Sequence, residues 1–152
     1  MTKSFYHQTV MSRTRAVNGG SRRELRASSE VAGEPAHSLR RAGATDEAEA
    51  EYRQTIRGWR HSGNRAAVAN QLESLAFTAL AKGDAVRMAR LLGAAEALRE
   101  VAGDPMPASE RGEYDAEVAR LHAQLDPQTL NDARTHGRAP SMEDAVTFAV
   151  SG

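Results

Sequence analysis

The stretch NRAAVANQLESLAFTALAKGDAVRMARLLGAAEALREVAG, residues 64–103, decides the fold. Asn64 follows Gly63 and carries a side chain able to accept from the orphan amides of a helix start. Beyond it Val68, Leu72, Leu75, Ala76 and Ala79 recur at the three-and-four spacing of a buried helical stripe. Gly83 suits the left-handed conformation that stops a helix, and Asp84 is placed to cap the next one. That helix repeats the stripe with Met88, Leu91, Leu92, Ala95, Leu98 and Ala102, and Gly103-Asp104-Pro105 ends it. Two helices joined by about two residues lie antiparallel and bury their stripes against each other.

The rest of the chain agrees with this pair. A length of 152 residues suits a single domain with a modest core. Aromatic residues make up only 5%, and Ala and Leu recur through the second half, so helices approach closely over small contact residues. β-Branched residues nowhere alternate for the length of a strand, which predicts an all-α domain. Cysteine is absent, which excludes disulfides and thiolate metal sites and fits a reducing compartment. No apolar run approaches the ~18 residues of a spanning helix, so a soluble, cytoplasmic protein is expected, with no membrane partner.

Net charge is zero but uneven. Residues 1–29 carry Lys3, Arg13, Arg15, Arg22, Arg23 and Arg26 against Glu24, a net of +5, which leaves −5 for the remainder. This segment is poor in apolar residues and broken at Asn18-Gly19-Gly20-Ser21, so a disordered basic tail over 1–29 and a helical domain over 30–152 are expected. Any affinity of the tail for nucleic acid would be non-specific and would fall steeply with salt.

Pro35 predicts a helix from near Glu34 to Arg41, stopped by Gly43. In the next helix Thr45 is placed to cap, and Asp46, Glu47, Glu49 and Glu51 crowd the end where the helix dipole favours negative charge. Arg53, Arg57 and Arg60 crowd the other end, and Ala48, Tyr52, Ile56 and Trp59 form the stripe. Three further helices should close the domain. Ser109 begins one with Ala116, Val118, Leu121 and Leu125 apolar. Asp126-Pro127 begins another, with Leu130 and Ala133 inward and Gly137 as its stop. Ser141 to Asp144 approximates a capping box before Ala145, Val146, Phe148 and Ala149.

Gly43 placed over Gly83 aligns the flanking helices at an offset of 40 residues: Ala36 falls on Ala76, Ala48 on Met88, Tyr52 on Leu92 and Thr55 on Ala95. A helix–turn–helix unit repeated in this way cannot bury its faces alone and stacks into a superhelix. The pattern Leu72-x-x-Leu75-Ala76, Gly83, Met88, Leu92, Ala95 resembles the tetratricopeptide repeat, lengthened from its usual ~34 residues. The run from Asn64 to Ala76, then Ala-Lys-Gly-Asp, then Ala89 to Arg99, then Pro105-Met-Pro-Ala-Ser-Glu-Arg111 resembles the carboxy-terminal region of bacterial LuxR-type transcriptional regulators and related signal-transduction ATPases. The likeness runs from about Asp46 to Val150. It implies an all-α, tetratricopeptide-like array of antiparallel helix pairs, a short right-handed superhelix, with carboxy-terminal capping helices. By the same likeness this region receives a signal or holds a partner while other domains produce the output.

No Gly-x-x-x-x-Gly-Lys-Ser/Thr loop occurs, so nucleotide hydrolysis is not carried over, and no helix is left to form a DNA-reading domain. The expected function is therefore a non-catalytic interaction or effector-sensing domain of a bacterial signalling or transcription regulator. Two other readings stand beside it: the helical remnant of a cyclase-linked or nucleotide-hydrolysing enzyme, and a stand-alone adaptor. The five histidines, at 7, 37, 61, 122 and 136, never fall three or four apart, so no helical metal pair is written, and no cofactor is expected. Gly93, inside a helix, predicts close packing of a neighbour. By resemblance to tetratricopeptide repeats, the concave face is formed by Asn70, Glu73, Phe77 and Leu80. Phe77 points about 140° from Leu72, so this face is expected to lie apart from the core stripe and to take a protein or peptide partner, or a small effector.

Overall fold

In the computed structural model, the structure describes Ala36, residues 38–40 and residues 43–151, and all of the secondary structure among them is helical. In chain order the helices are α1 (Thr45–Trp59), α2 (Arg65–Ala81), α3 (Ala85–Ala102), α4 (Ala108–Gln124), α5 (Pro127–Arg138) and α6 (Met142–Val150). Ala36 and residues 38–40 are also helical. The expected tail over 1–29 and the helix start near Glu34 lie outside the described residues. The chain divides into two compact units, with the boundary inside α1 between Glu51 and Tyr52.

The first unit contains the turn at Gly43 and the first half of α1. Gly43 N–H donates to Arg40 O (3.1 Å) and Ala44 N–H to Leu39 O (2.8 Å), the paired bonds that close a helix through a left-handed residue. Thr45 does not cap α1. It is already in the helix, its hydroxyl donates to Gly43 O, and Ala44 O accepts the first helical bond from Ala48.

In the second unit α2 and α3 form the expected antiparallel pair. Asn64 Oδ1 accepts from Ala67 N–H and Asp84 Oδ1 from Arg87 N–H, each at 3.0 Å, so both helices are capped as the sequence indicates. Gly83 and Gly103 repeat the closure seen at Gly43, with Asp84 N–H on Ala79 O and Asp104 N–H on Arg99 O. Left-handed glycines thus stand at 43, 63, 83 and 103, twenty residues apart. The stripes are buried except for Ala102, which is exposed at the end of α3, and on α2 burial goes further than a stripe: every residue from Gln71 to Leu80 is inside. Such a helix is enclosed on all sides.

What surrounds α3 departs from a simple pair. Helix α5 crosses it with almost no side-chain layer between. A Cβ on Gly93 would lie 2.2 Å from Arg134 O, and one on Gly137 would lie 2.0 Å from Arg90 O. Gly93 therefore allows the close packing its position implied. Gly137 is not a stop. It is buried within α5, which runs on to Arg138, because the crossing requires a residue without a side chain there.

The remaining ends are set by proline and serine. Helix α4 begins at Ala108 after Pro107, so Ser109 lies within it and caps nothing, and only Leu121 of its expected apolar positions is fully buried. Asp126 accepts from Thr129 N–H ahead of Pro127, and Ser141 Oγ from Asp144 N–H, as expected. Arginines hold the short α6. Arg87 donates to Phe148 O, Ala149 O and Ser151 O, satisfying carbonyls at a helix end where positive charge is favoured. Arg87 and Arg90 also lie over the Phe148 ring, 4.7 and 4.2 Å from its centre.

Candidate functional site

One face of α3 carries Leu92, Glu96 and Arg99, spaced by four and three residues, and Gly103, four further on, follows the last turn. Such spacing lines one side of a helix. That side forms a wall of a cleft of about 440 Å³, which α2 enters through Glu73 and α4 through Arg111 and Tyr114. The turn after α3 supplies Asp104, Pro105 and Met106. The turn is short because Gly103 reverses the chain at φ 65° and two prolines follow within four residues. The volume lies in the range of small-molecule sites.

The inner end of the cleft is an ion pair. Arg99 Nε donates to Glu73 Oε2 at 2.7 Å and Nη2 to Glu73 Oε1 at 3.0 Å, a bidentate fork between α3 and α2. Arg99 Nη1 also donates to Asp104 O at 3.1 Å, so the same side chain fixes the turn. Both side chains are nearly sealed, 11% and 8% exposed. The bonds Arg99 donates to Glu73, opposed by burial, raise its guanidinium above its ordinary value. Burial pushes the Glu110 carboxyl up, and the nearby Glu73 carboxylate pushes it further.

On the α5 side, Arg134 and Arg138 both donate to Glu96, and Arg138 donates to Glu100 at 2.6 Å. These bonds bridge the glycine crossing and hold two cleft carboxylates in place. Across the cleft, the Arg111 guanidinium lies 5.4 Å from the centre of the Tyr114 ring. Burial, followed by the field of Glu96, raises the Tyr114 hydroxyl above its ordinary value.

Of the four residues assigned to the concave face, only Glu73 lines the cleft. Phe77 and Leu80 are buried, at 8% and 6%, and Asn70 is half-buried. The expectation that this face lies open, apart from folding, is not met. Tyr114 of α4 packs edge-on against Phe77 with ring centres 6.4 Å apart, and Glu73 is committed to Arg99. The sequence reading missed Arg99, Tyr114 and Met106. A signal for Arg99 existed, since Glu73 and Arg99 carry opposite charge on paired helices. They stand unequally far from the Gly83–Asp84 turn, ten and fifteen residues, and only the reach of arginine closes the gap. Nothing in the linear pattern brings α4 onto Phe77.

Among the described residues no group of three or more His, Asp or Glu side chains could hold a metal ion, and no helix is long and apolar enough to cross a membrane. No family model, curated protein or solved structure matches this chain.

Proposed function

We propose that this chain is a non-catalytic, tetratricopeptide-like helical domain that senses an effector or docks a partner for a bacterial signalling or transcription regulator. The effector or partner group would sit in the cleft between α2, α3 and α4. The observation that carries this reading is the cleft itself. Its lining combines an apolar part (Leu92, Met106, the Tyr114 ring) with polar groups already fixed by bonds within the protein, the Glu73–Arg99 fork foremost. Fixed polar groups on an apolar floor favour recognition, because a ligand meets a surface that needs little reordering. The left-handed glycines at 43 and 83, with the same paired closing bonds, support a helix-pair unit of forty residues. The regulator assignment rests on the resemblance described above.

The test is a thermal-shift screen of the full chain against short peptides and small metabolites, followed by calorimetry. A ligand at a hundredfold excess over its Kd should stabilise the fold by about 2.7 kcal/mol. Met106→Trp, which fills the cleft from its half-buried rim, should abolish that gain without lowering the melting temperature of the free protein. Ligands that bind Met106→Trp as tightly as the parent would overturn the cleft as the site. ATP or GTP turnover by the purified chain would overturn the non-catalytic reading.

A further inference from the structure

Resting on the proposal that the cleft is the binding site, we infer that its ligand is a small organic cation, an amine or guanidinium on an apolar body. Two carboxylates of the lining, Glu73 and Asp104, act on the guanidinium of Arg99, and Glu110, near the cleft but outside its lining, adds to them. That guanidinium is already spent on Glu73 and on the Asp104 carbonyl, so the Asp104 carboxylate is the one negative charge of the inner end that Arg99 does not pair, and within the lining only the Arg111 cation is left to answer it. The carboxyl-terminal end of α3, at Gly103, adds the negative pole of a helix dipole at the same place. Glu96 and Glu100 do not add to the excess, because Arg134 and Arg138 engage them from α5.

A second feature shows the chemistry that fits. The protein's own Arg111 guanidinium occupies the space over the Tyr114 ring, inside the cleft lining. Cations are attracted to such a ring face. Arg111 holds that place loosely, being 53% exposed in its side chain with only a 3.9 Å contact to Asp115 on its other side. A ligand cation can displace it, and Leu92 and Met106 would cover the apolar body. The raised carboxyl of Glu110 and the raised hydroxyl of Tyr114, each partly due to neighbouring carboxylates, agree with a negative potential there. Electrostatic focusing of this kind in a partly enclosed site selects the sign of a ligand's charge.

The experiment titrates the full chain with three probes of one shape: 4-phenylbutylamine, 4-phenylbutan-1-ol and 4-phenylbutyrate. Calorimetry at low ionic strength should find the amine at least about tenfold tighter than the alcohol, and the carboxylate weakest. Asp104→Asn combined with Glu110→Gln should weaken the amine about tenfold and leave the alcohol unchanged. Arg111→Ala should tighten the amine several-fold, since it removes a competing cation. Circular dichroism checks that each variant folds, and Asp104→Asn alone replaces the double variant if that one does not. Alcohol or carboxylate binding as tight as the amine, still blocked by Met106→Trp, would overturn the cation inference while leaving the cleft as a site. Binding of no probe would also overturn it. The cleft itself fails separately, if ligands from the screen ignore Met106→Trp. Weaker amine binding by Arg111→Ala would show that Arg111 helps form the site, contrary to the inference.

Discussion

Replacing Gly93 with alanine tests the crossing on which the fold turns. Among the described residues four glycines lie inside helices, and they divide into two kinds. A Cβ on Gly58 or Gly112 would meet nothing within 4 Å, whereas one on Gly93 would lie 2.2 Å from Arg134 O. Real contacts of this type rarely fall below 3.0 Å, so α3 and α5 must separate by about 1 Å. The obstacle is backbone and cannot rotate aside. Overpacking a tight interface costs roughly 1–3 kcal/mol, and a radial gap of up to about 1 Å forfeits a quarter to a half of each dispersion contact along it. Separation also stretches the bonds from Arg134 and Arg138 to Glu96 and Glu100, which bridge the same two helices. Against this stands the gain of about 1 kcal/mol for alanine over glycine within a helix. The unyielding contact places the cost near the top of its range, so Gly93→Ala should destabilise by about 2 kcal/mol net, or about 4–8 °C in Tm for a chain of this size. Gly112→Ala should instead stabilise, by up to about 1 kcal/mol. Thermal and urea unfolding of the two variants side by side decide the matter. If Gly93→Ala stabilises as much as Gly112→Ala, the helices do not cross as described.

Leu72 is fully buried, and Leu72→Ala should cost roughly 2–5 kcal/mol by urea unfolding, against less than about 0.5 kcal/mol for a change at the exposed Glu113. Glu73→Ala leaves the Arg99 guanidinium enclosed without its partner and should cost about 3–5 kcal/mol, measured by the same unfolding curves, with Glu73→Ala/Arg99→Leu recovering much of the loss. The Glu110 carboxyl is held above its usual value, so the fold disfavours its charged form. Stability from this group is complete below the unfolded value and is lost as pH rises through the higher folded value. Glu110→Gln should therefore raise Tm at pH 7 and leave it unchanged near pH 3, which melting curves at the two pH values will show.

The local structure was legible because it depends on near neighbours. Asn64, Asp84, Asp126 and Ser141 accept the amides that their positions imply, since a cap bond spans only three residues. The stripe in residues 64–103 and the left-handed glycines at 83 and 103 determined an antiparallel pair for the same reason. Where the sequence misled, short-range chemistry offered two solutions. Thr45 and Ser109 can each cap a helix, but Ala44 and Pro107 took those places. Gly137 looked like a stop because glycine often ends helices, yet a missing side chain serves equally well at a crossing, and only the position of Arg90 chooses between the two.

The cleft belongs to tertiary structure. Asn70, Glu73, Phe77 and Leu80 do share helix α2, as their spacing requires, but spacing along one helix says nothing about what rests upon it. Tyr114, thirty-seven residues beyond Phe77, covers that aromatic ring, and Arg99, twenty-six beyond Glu73, ties up the carboxylate. Sequence periodicity fixes a side chain's direction about its own helix axis. Which neighbour meets it depends on the turn at Gly103–Pro107 and on how closely α5 can approach α3, and both are settled only when the helices pack.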